Sequence, residues 1–324
     1  MSAALTYRLY KPADFEAIFR LWDEFSGWGG ISEQQFKQWY LETPNGCSII
    51  VVAVNNDNRV VGQTVFIPSK LYAHGRYMNS YRISAPILDN TVRQKDLKFT
   101  FAHPAFAMFN YGLTVAKEKG FEVVYFFPAY AWTGVLKHVS SIVQTTYACF
   151  AISLNKPETF IDDPKKVSVK TASAFNEEYD QLWKDCISNF PINYSVIRDA
   201  KQLAWKLADE VVFEIRQVET QQLKGYIAVK KKTGLIVDML ARTKEDLKEN
   251  FAVFIRAIHD LNPQKILVEW KEIKGMQSPL FQFVLQNIKF NLPKYNFAFG
   301  YISLNGTDHE DLNHPDNWYL MPSD

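Results

Sequence analysis

Cysteine is scarce: Cys47, Cys149 and Cys186 are the only three in 324 residues. They lie far apart, with no zinc-ligand spacing and no disulfide framework, which points to a reducing compartment, read here as the cytoplasm. No apolar run approaches the roughly 20 residues that span a bilayer, and Met1-Ser2-Ala3-Ala4-Leu5 lacks the basic and apolar segments of a signal peptide, so no membrane partner is expected. Charge of one sign is also missing. A net charge of +1 gives no global pull toward nucleic acid, which is not expected as a partner. There is no Gly-x-Ser-x-Gly elbow. The one glycine-rich run, Ser26-Gly27-Trp28-Gly29-Gly30, follows no strand and precedes no Lys-Ser/Thr pair, so it is not a phosphate loop. Asp308, His309, Asp311, His314 and Asp316 crowd the C-terminal segment without ordered ligand spacing and read as a solvated tail; no metal is expected.

What is present is an ordinary globular composition, 47% hydrophobic and 22% charged, in a chain long enough for two domains. Aromatics reach 15%, which reads first as a core built with Phe and Tyr. The most structured stretch runs from Ser80 to Pro128. Tyr81–Leu88 reads as a strand, Asp89–Lys98 as a polar basic loop, Phe101–Lys119 as a helix stopped by Gly120, and Glu122–Phe127 as a short apolar strand. A basic loop between a strand and a helix N-terminus suits phosphates, because free N–H groups and the helix dipole face the ligand.

Around this stretch the chain predicts a strand at Thr6–Leu9, a helix opened by Pro12-Ala13-Asp14, and a second helix at 31–41 capped by Ser32. A three-strand meander follows, with turns at Asn55–Asn58 and His74-Gly75. A strand at Gln144–Leu154 ends the first half. Residues 155–166 change character, with Lys-Pro, Asp-Asp-Pro and Lys-Lys. The order of elements then restarts at Val167, with a meander over 211–240, a helix at Lys244–Leu261 and a closing strand at Phe297–Leu304. The repeat is one of pattern and not of residues. It predicts an α+β chain of two domains, residues 1–155 and 167–324 with a linker at 156–166, each a mixed, mostly antiparallel sheet flanked by helices.

This order resembles that of the GNAT acyltransferase superfamily over both halves, in the manner of a tandem pair. Tyr7–Asp14 looks like its opening strand-to-helix segment, Asn58-Arg59-Val60-Val61-Gly62-Gln63 like its central hairpin, Ala116–Phe121 like the end of its cofactor-side helix, and Phe127-Pro128 recurs in tandem members. The resemblance implies acyl-CoA lying between two splayed strands, with Ile87 and Leu88 offering backbone groups and the loop Arg93-Gln94-Lys95-Asp96-Leu97-Lys98 on the pyrophosphate. Arg93 matches the first position of the family loop, but Asp96 stands where its first glycine is expected and Lys98 where a small residue is. A carboxylate beside a pyrophosphate is repulsive unless Arg93, Lys95 or Lys98 neutralises it. The corresponding loop of the second half, Ala241–Lys244, has no glycine and implies no cofactor there.

The implied function is transfer of an acyl group, acetyl from acetyl-CoA, to an amine of a small molecule or peptide. Such transfer needs a base for the amine, a polarised carbonyl and an acid for the leaving thiolate. Asp89 is the candidate base and Tyr130 the candidate acid, each with an ordinary structural alternative: a turn former and a packing aromatic. Trp28 is the candidate acceptor contact, with the acceptor entering beside the Gly27–Gly30 connector and the cleft between the halves. Two alternatives stand beside this: a non-catalytic, degenerate GNAT-like binding module, and an aminoacyl or peptidyl transferase of the tandem kind. The sequence does not fix the oligomeric state.

Overall fold

A computed structural model describes residues 5–93, 103–129, 133–134, 136–138, 140–153, 166–261, 267–272, 294–306, 310–314, 317–321 and 323–324. In chain order the strands and helices used below are β1 (Thr6–Leu9), α1 (Phe15–Phe25), α2 (Glu33–Phe36, continued by a wider π turn over Lys37–Leu41), β2 (Ile49–Val54), β3 (Val60–Ala73) and β4 (Arg76–Leu88). Then come α3 (Pro104–Glu118), β5 (Val123–Phe126), β6 (Ser141–Ser153), β7 (Val167–Thr171), α4 (Glu177–Asn189), β8 (Tyr194–Val196) and α5 (Ala200–Lys206). The chain continues with β9 (Val211–Gln217), β10 (Leu223–Val229), β11 (Leu235–Ala241), α6 (Lys244–Leu261), β12 (Leu267–Glu272), β13 (Lys294–Ser303) and β14 (Trp318–Tyr319). The fold is α+β, as the sequence predicts.

Two compact units form. The first comprises Met1–Leu71, Arg76–Val143 and Ala298–His309; the second comprises Tyr72–Gly75, Gln144–Phe297 and Glu310–Asp324. In the first, the strand order is β1-β2-β3-β4-β5-β13. The pairs β1–β2, β2–β3 and β5–β13 are antiparallel and β4–β5 is parallel. In the second the order is β6-β12-β11-β10-β9-β7, with β11–β12 parallel and β12–β6, β10–β11, β9–β10 and β7–β9 antiparallel. The two sheets thus repeat one plan.

The closing strand of each sheet comes from the other half of the sequence. The sequence reading ends the first half with the strand at Gln144–Leu154 and closes the second with Phe297–Leu304. The pairing reverses this: Leu267–Glu272 register on Ser153–Ala148, and Gly300–Ser303 register on Phe126–Val123. Both strands are apolar enough for either sheet, so hydrophobic pattern alone cannot assign the partner.

Local chemistry explains the first unit's entry. Asp14 takes both arms of the Arg8 guanidinium at 2.6 and 2.7 Å and the Lys11 N–H at 2.7 Å. Burial works to raise its pKa, but Arg8 and the Lys11 N–H outweigh it and hold the carboxyl below its ordinary range. This fork fixes the turn from β1 into α1. Ser32 caps α2 by accepting the Gln35 N–H at 3.2 Å. α3 begins at Pro104 and not near Phe101 as the periodicity predicts; proline takes the first turn, and the His103 Nδ1 accepts the Ala105 N–H at 3.2 Å. α3 covers one face of the first sheet through a core that includes Val51, Ala53, Phe66, Tyr81, Met108 and Val124. α1 and α2 contribute the buried Ile18, Leu21, Trp22, Phe36 and Tyr40. In the second unit α6 packs one face, with Phe251, Phe254 and Ile255, and α4 and α5 pack the other, with Tyr179, Trp183 and Leu203.

Candidate active site

The parallel ladder between β4 and β5 is short. Ser80, Tyr81 and Arg82 pair with Val123, Val124 and Tyr125, after which β4 runs on to Leu88 while β5 ends at Phe126. Among the described residues, Ile83–Leu88 have no ladder partner in β5. Two parallel strands that part in this way leave one row of backbone donors and acceptors available to a ligand.

Inside the parted segment Ala85 sits at φ +48°, a left-handed conformation that costs a non-glycine residue about 1–3 kcal/mol. It is buried within an otherwise extended strand. The irregularity re-aims the backbone at the mouth of the opening. Sequence reasoning missed it. The available signal was Pro86, which cannot donate to a ladder and inside a strand marks a bulge or an edge. Beyond Ala85, Ile87 and Leu88 pack closely on β3. A Cβ on Gly62 would lie 2.6 Å from Leu88 Cδ2 and 3.3 Å from the Ile87 carbonyl oxygen, so the glycine is required by close approach.

Asp89 follows directly and is buried. Its N–H donates to the Val61 carbonyl at 2.8 Å. Its Oδ1 accepts the Thr91 N–H at 2.9 Å and the Thr91 hydroxyl at 3.0 Å, and Oδ2 accepts from Arg20 Nη1 at 3.2 Å. Its carbonyl takes the Val92 and Arg93 N–H groups at 3.1 and 3.0 Å. Burial pushes the Asp89 carboxyl up, yet Thr91 and Arg20 together hold it below its ordinary range. The carboxylate is therefore ionised, hydrogen-bonded through both oxygens and turned into the start of the loop. Arg93 is exposed at the loop's entrance. His103 closes the loop's far end at the α3 N-terminus; burial, then the Arg93 charge, push its pKa down, so the ring stays neutral at pH 7.

Gln94, Lys95, Asp96, Leu97 and Lys98, and the proposed acid Tyr130, lie outside the described residues. The structure brings Ile87, Leu88, Asp89 and Arg93 together at the end of β4 and places Trp28 on the α1–α2 connector. Trp28 is 64% exposed, its ring centroid 5.8 Å from that of Trp22. The connector is internally bonded: the Trp28 N–H donates to Ser26 Oγ at 2.9 Å, and the Ser26 hydroxyl donates to the Gly29 carbonyl at 3.1 Å. Among the described residues no cluster of three or more His, Cys, Asp or Glu could hold a metal, and no helix is long and apolar enough to cross a membrane.

No family model matches this sequence, and no curated protein matches it. Solved structures do. A GCN5-related N-acetyltransferase of Anabaena variabilis ATCC 29413 superposes with a TM-score of 0.67 at 15% identity, over 93% of this chain and 73% of that one. A probable N-acyltransferase of Enterococcus faecalis V583 gives 0.65 at 14% identity, over 92% and 72%. The N-myristoyltransferase of Saccharomyces cerevisiae, solved with bound myristoyl-CoA, gives 0.53 at 10% identity, over 94% and 80%. The chain has the fold of the GCN5-related N-acetyltransferases, the GNAT fold.

Proposed function

We propose that this chain is an acyl-CoA-dependent N-acyltransferase built from two GNAT-like domains, with its active site in the first unit. The observation that carries the reading is the parted β4–β5 pair with Ala85 at its mouth, followed by a turn fixed by Asp89 and leading through Arg93 toward the N-terminus of α3. The fit to acyl-CoA rests on this unit's own groups. Backbone donors and acceptors of Ile83–Leu88 without a partner in β5 would pair with an extended ligand, and the exposed Arg93 would face its phosphates. Bound acyl-CoA would supply the thioester whose acyl group passes to the amine.

The chain's own residues then divide the work. Backbone N–H groups near Ala85 would polarise a carbonyl held in the opening. Asp89 acts through the loop: its oxygens are bonded to Thr91 and Arg20, so it positions the Arg93 turn, and the amine enters as the free base and gives up its proton to solvent water. Tyr130, shortly after β5 in sequence, is the proton donor to the leaving thiolate that the GNAT resemblance implies. Acetyl is the acyl group proposed, on the strength of the GNAT resemblance alone.

Isothermal titration of the full chain with acetyl-CoA tests the reading, with Arg93→Ala beside it. Saturable binding that weakens about tenfold in the variant, ~1.4 kcal/mol, is the expected result. An absence of binding at millimolar acetyl-CoA would favour the degenerate binding module. The peptidyl transferase alternative predicts co-purifying RNA whose removal by ribonuclease abolishes activity.

A further inference from the structure

The face of the first sheet opposite α3 carries polar atoms that the fold leaves unpaired. Ala53 and Gly62 are opposite one another and look toward Met108 of α3. Alternation therefore turns Gln63 to the α1–α2 face. Tyr81 belongs to the α3-side core and stacks on Phe121, so Ser80 and Arg82 turn to the α1–α2 face too. Tyr40, from the turn after α2, is buried on that face near Arg82 and Ser84. Gln63 and Ser80 are fully buried. Both amide atoms of Gln63, Oγ of Ser80, Nε of Arg82 and Nε1 of Trp22 are buried without a hydrogen-bond partner.

Each such group destabilises the fold if nothing meets it, a cation most of all. Arg82 is the telling one. A guanidinium stays charged at any physiological pH. Its charge rests over the Phe127 ring at 5.8 Å, which attracts the cation but accepts none of its N–H bonds. Among the described residues it has no ion pair, whereas Arg8, Arg20, Arg76, Arg198 and Arg216 all do. The corresponding side of the second unit shows the contrast. There Arg198 bonds Asp238 at 2.9 Å and Asp324 at 2.7 Å, so its cation is matched from within the chain.

We infer that this face holds the acceptor, and that the acceptor is a small amine that also bears a carboxylate, such as a free amino acid, with the carboxylate on Arg82. The inference rests on the transferase reading for the word acceptor; the carboxylate site itself rests on Arg82, Ser80 and Gln63. A phosphate of the co-substrate is not the anion. Arg82 lies seven residues along β4 from Asp89, roughly 20 Å at a strand's rise, so it is far from the loop and beside the reacting end of the opening. Planar carboxylate is the natural bidentate partner of a guanidinium. Trp22, Trp28, Trp39 and Tyr40 form an adjoining aromatic wall, with Trp22 centred 5.8–6.4 Å from the other three rings. It suits an apolar amino-acid side chain.

The test uses N-acetylphenylalanine and its amide, N-acetylphenylalaninamide, as probes, titrated into the full chain as wild type, Arg82→Gln and Arg82→Lys. The acid is expected to bind at least tenfold tighter than the amide, with the preference lost in Arg82→Gln and partly kept in Arg82→Lys. Near-UV circular dichroism reports folding, and the lysine variant decides if the glutamine one fails to fold. Equal affinities for acid and amide, binding of neither, or a preference that survives Arg82→Gln would overturn the carboxylate site. Acetyl-CoA binding without acid–amide discrimination overturns this inference and leaves the transferase reading standing. Discrimination without acetyl-CoA binding supports the carboxylate site and removes the transferase reading.

Discussion

Asp89 shows how much a residue's role depends on where its lone pairs go. A general base needs a free oxygen and a pKa near the working pH. Here one oxygen completes a turn with Thr91, the other meets Arg20, and the carboxyl is held below its ordinary range. Asp89→Asn keeps an oxygen for the Thr91 turn and loses the charge that faces Arg20. The expected cost is about 1.5–3 kcal/mol at pH 7, the scale of a charged hydrogen bond, with turnover reduced severalfold and not abolished. Because the folded pKa is depressed, the wild-type advantage should be complete above the unfolded value near 4 and should vanish as pH falls through the folded value. Urea melts of both proteins at pH 7 and at stepwise lower pH check this; complete loss of turnover with unchanged acetyl-CoA affinity would make Asp89 the base after all. At this scale the turn and connector positions of Asp89, Arg93 and Trp28 were legible, since loop and turn residues announce themselves by composition, while their roles were not. Ala85 was not, because alanine carries no mark of a left-handed backbone, and Gln63 and Arg82 were not, because an unpaired buried atom exists only once the neighbours are known.

At the scale of the element, α3 packs on the first sheet through a broad core, and one of its tightest approaches is at Gly112. Gly112 faces Phe66 of β3, and a Cβ there would lie 2.0 Å from Phe66 Cε2 and 2.3 Å from its Cζ. Helix propensity favours alanine over glycine by about 1 kcal/mol, whereas overpacking a filled core costs about 1–3 kcal/mol. Phe66 is fully buried and pairs in register with Ile49, so the ring has little room to withdraw and the clash should win. Gly112→Ala is expected to lower stability by about 1–2 kcal/mol, read as a falling melting temperature. It should also weaken acetyl-CoA binding, because the α3 N-terminus moves with the helix. A variant as stable as wild type with unchanged affinity would show that the helix shifts freely. The helix itself was legible from its apolar period and from Gly120. Its start was misplaced because aromatic residues before Pro104 continue the pattern, while the proline and the His103 cap set the first turn.

At the scale of the molecule, the exchanged strands alter what can fold alone. The restart of the element order at Val167 invites a cut in the 156–166 segment, giving a fragment of residues 1–155. That fragment would lack Gly300–Ser303, which cover the outer edge of β5, and would retain Gln144–Ser153, whose partner is β12 of the other unit. All four residues of β5 are buried, so removing its neighbour exposes an apolar edge, the arrangement most prone to pairing with another chain. The fragment is therefore expected to aggregate or to melt without a cooperative transition, while the intact chain melts cooperatively. Co-expression with residues 156–324 should restore a soluble complex, because each fragment then supplies the closing strand of the other's sheet. Sedimentation and thermal melts of the fragment, alone and co-expressed, decide between the two arrangements: a monomeric, cooperatively melting 1–155 fragment would mean that the strand at 144–153 can close its own sheet, and that the exchange is not needed to hold the first unit together. The sequence could not settle this. Residues 144–153 and 294–303 both satisfy a buried strand's composition, and a repeat read by element order does not say which copy of the last strand belongs to which sheet.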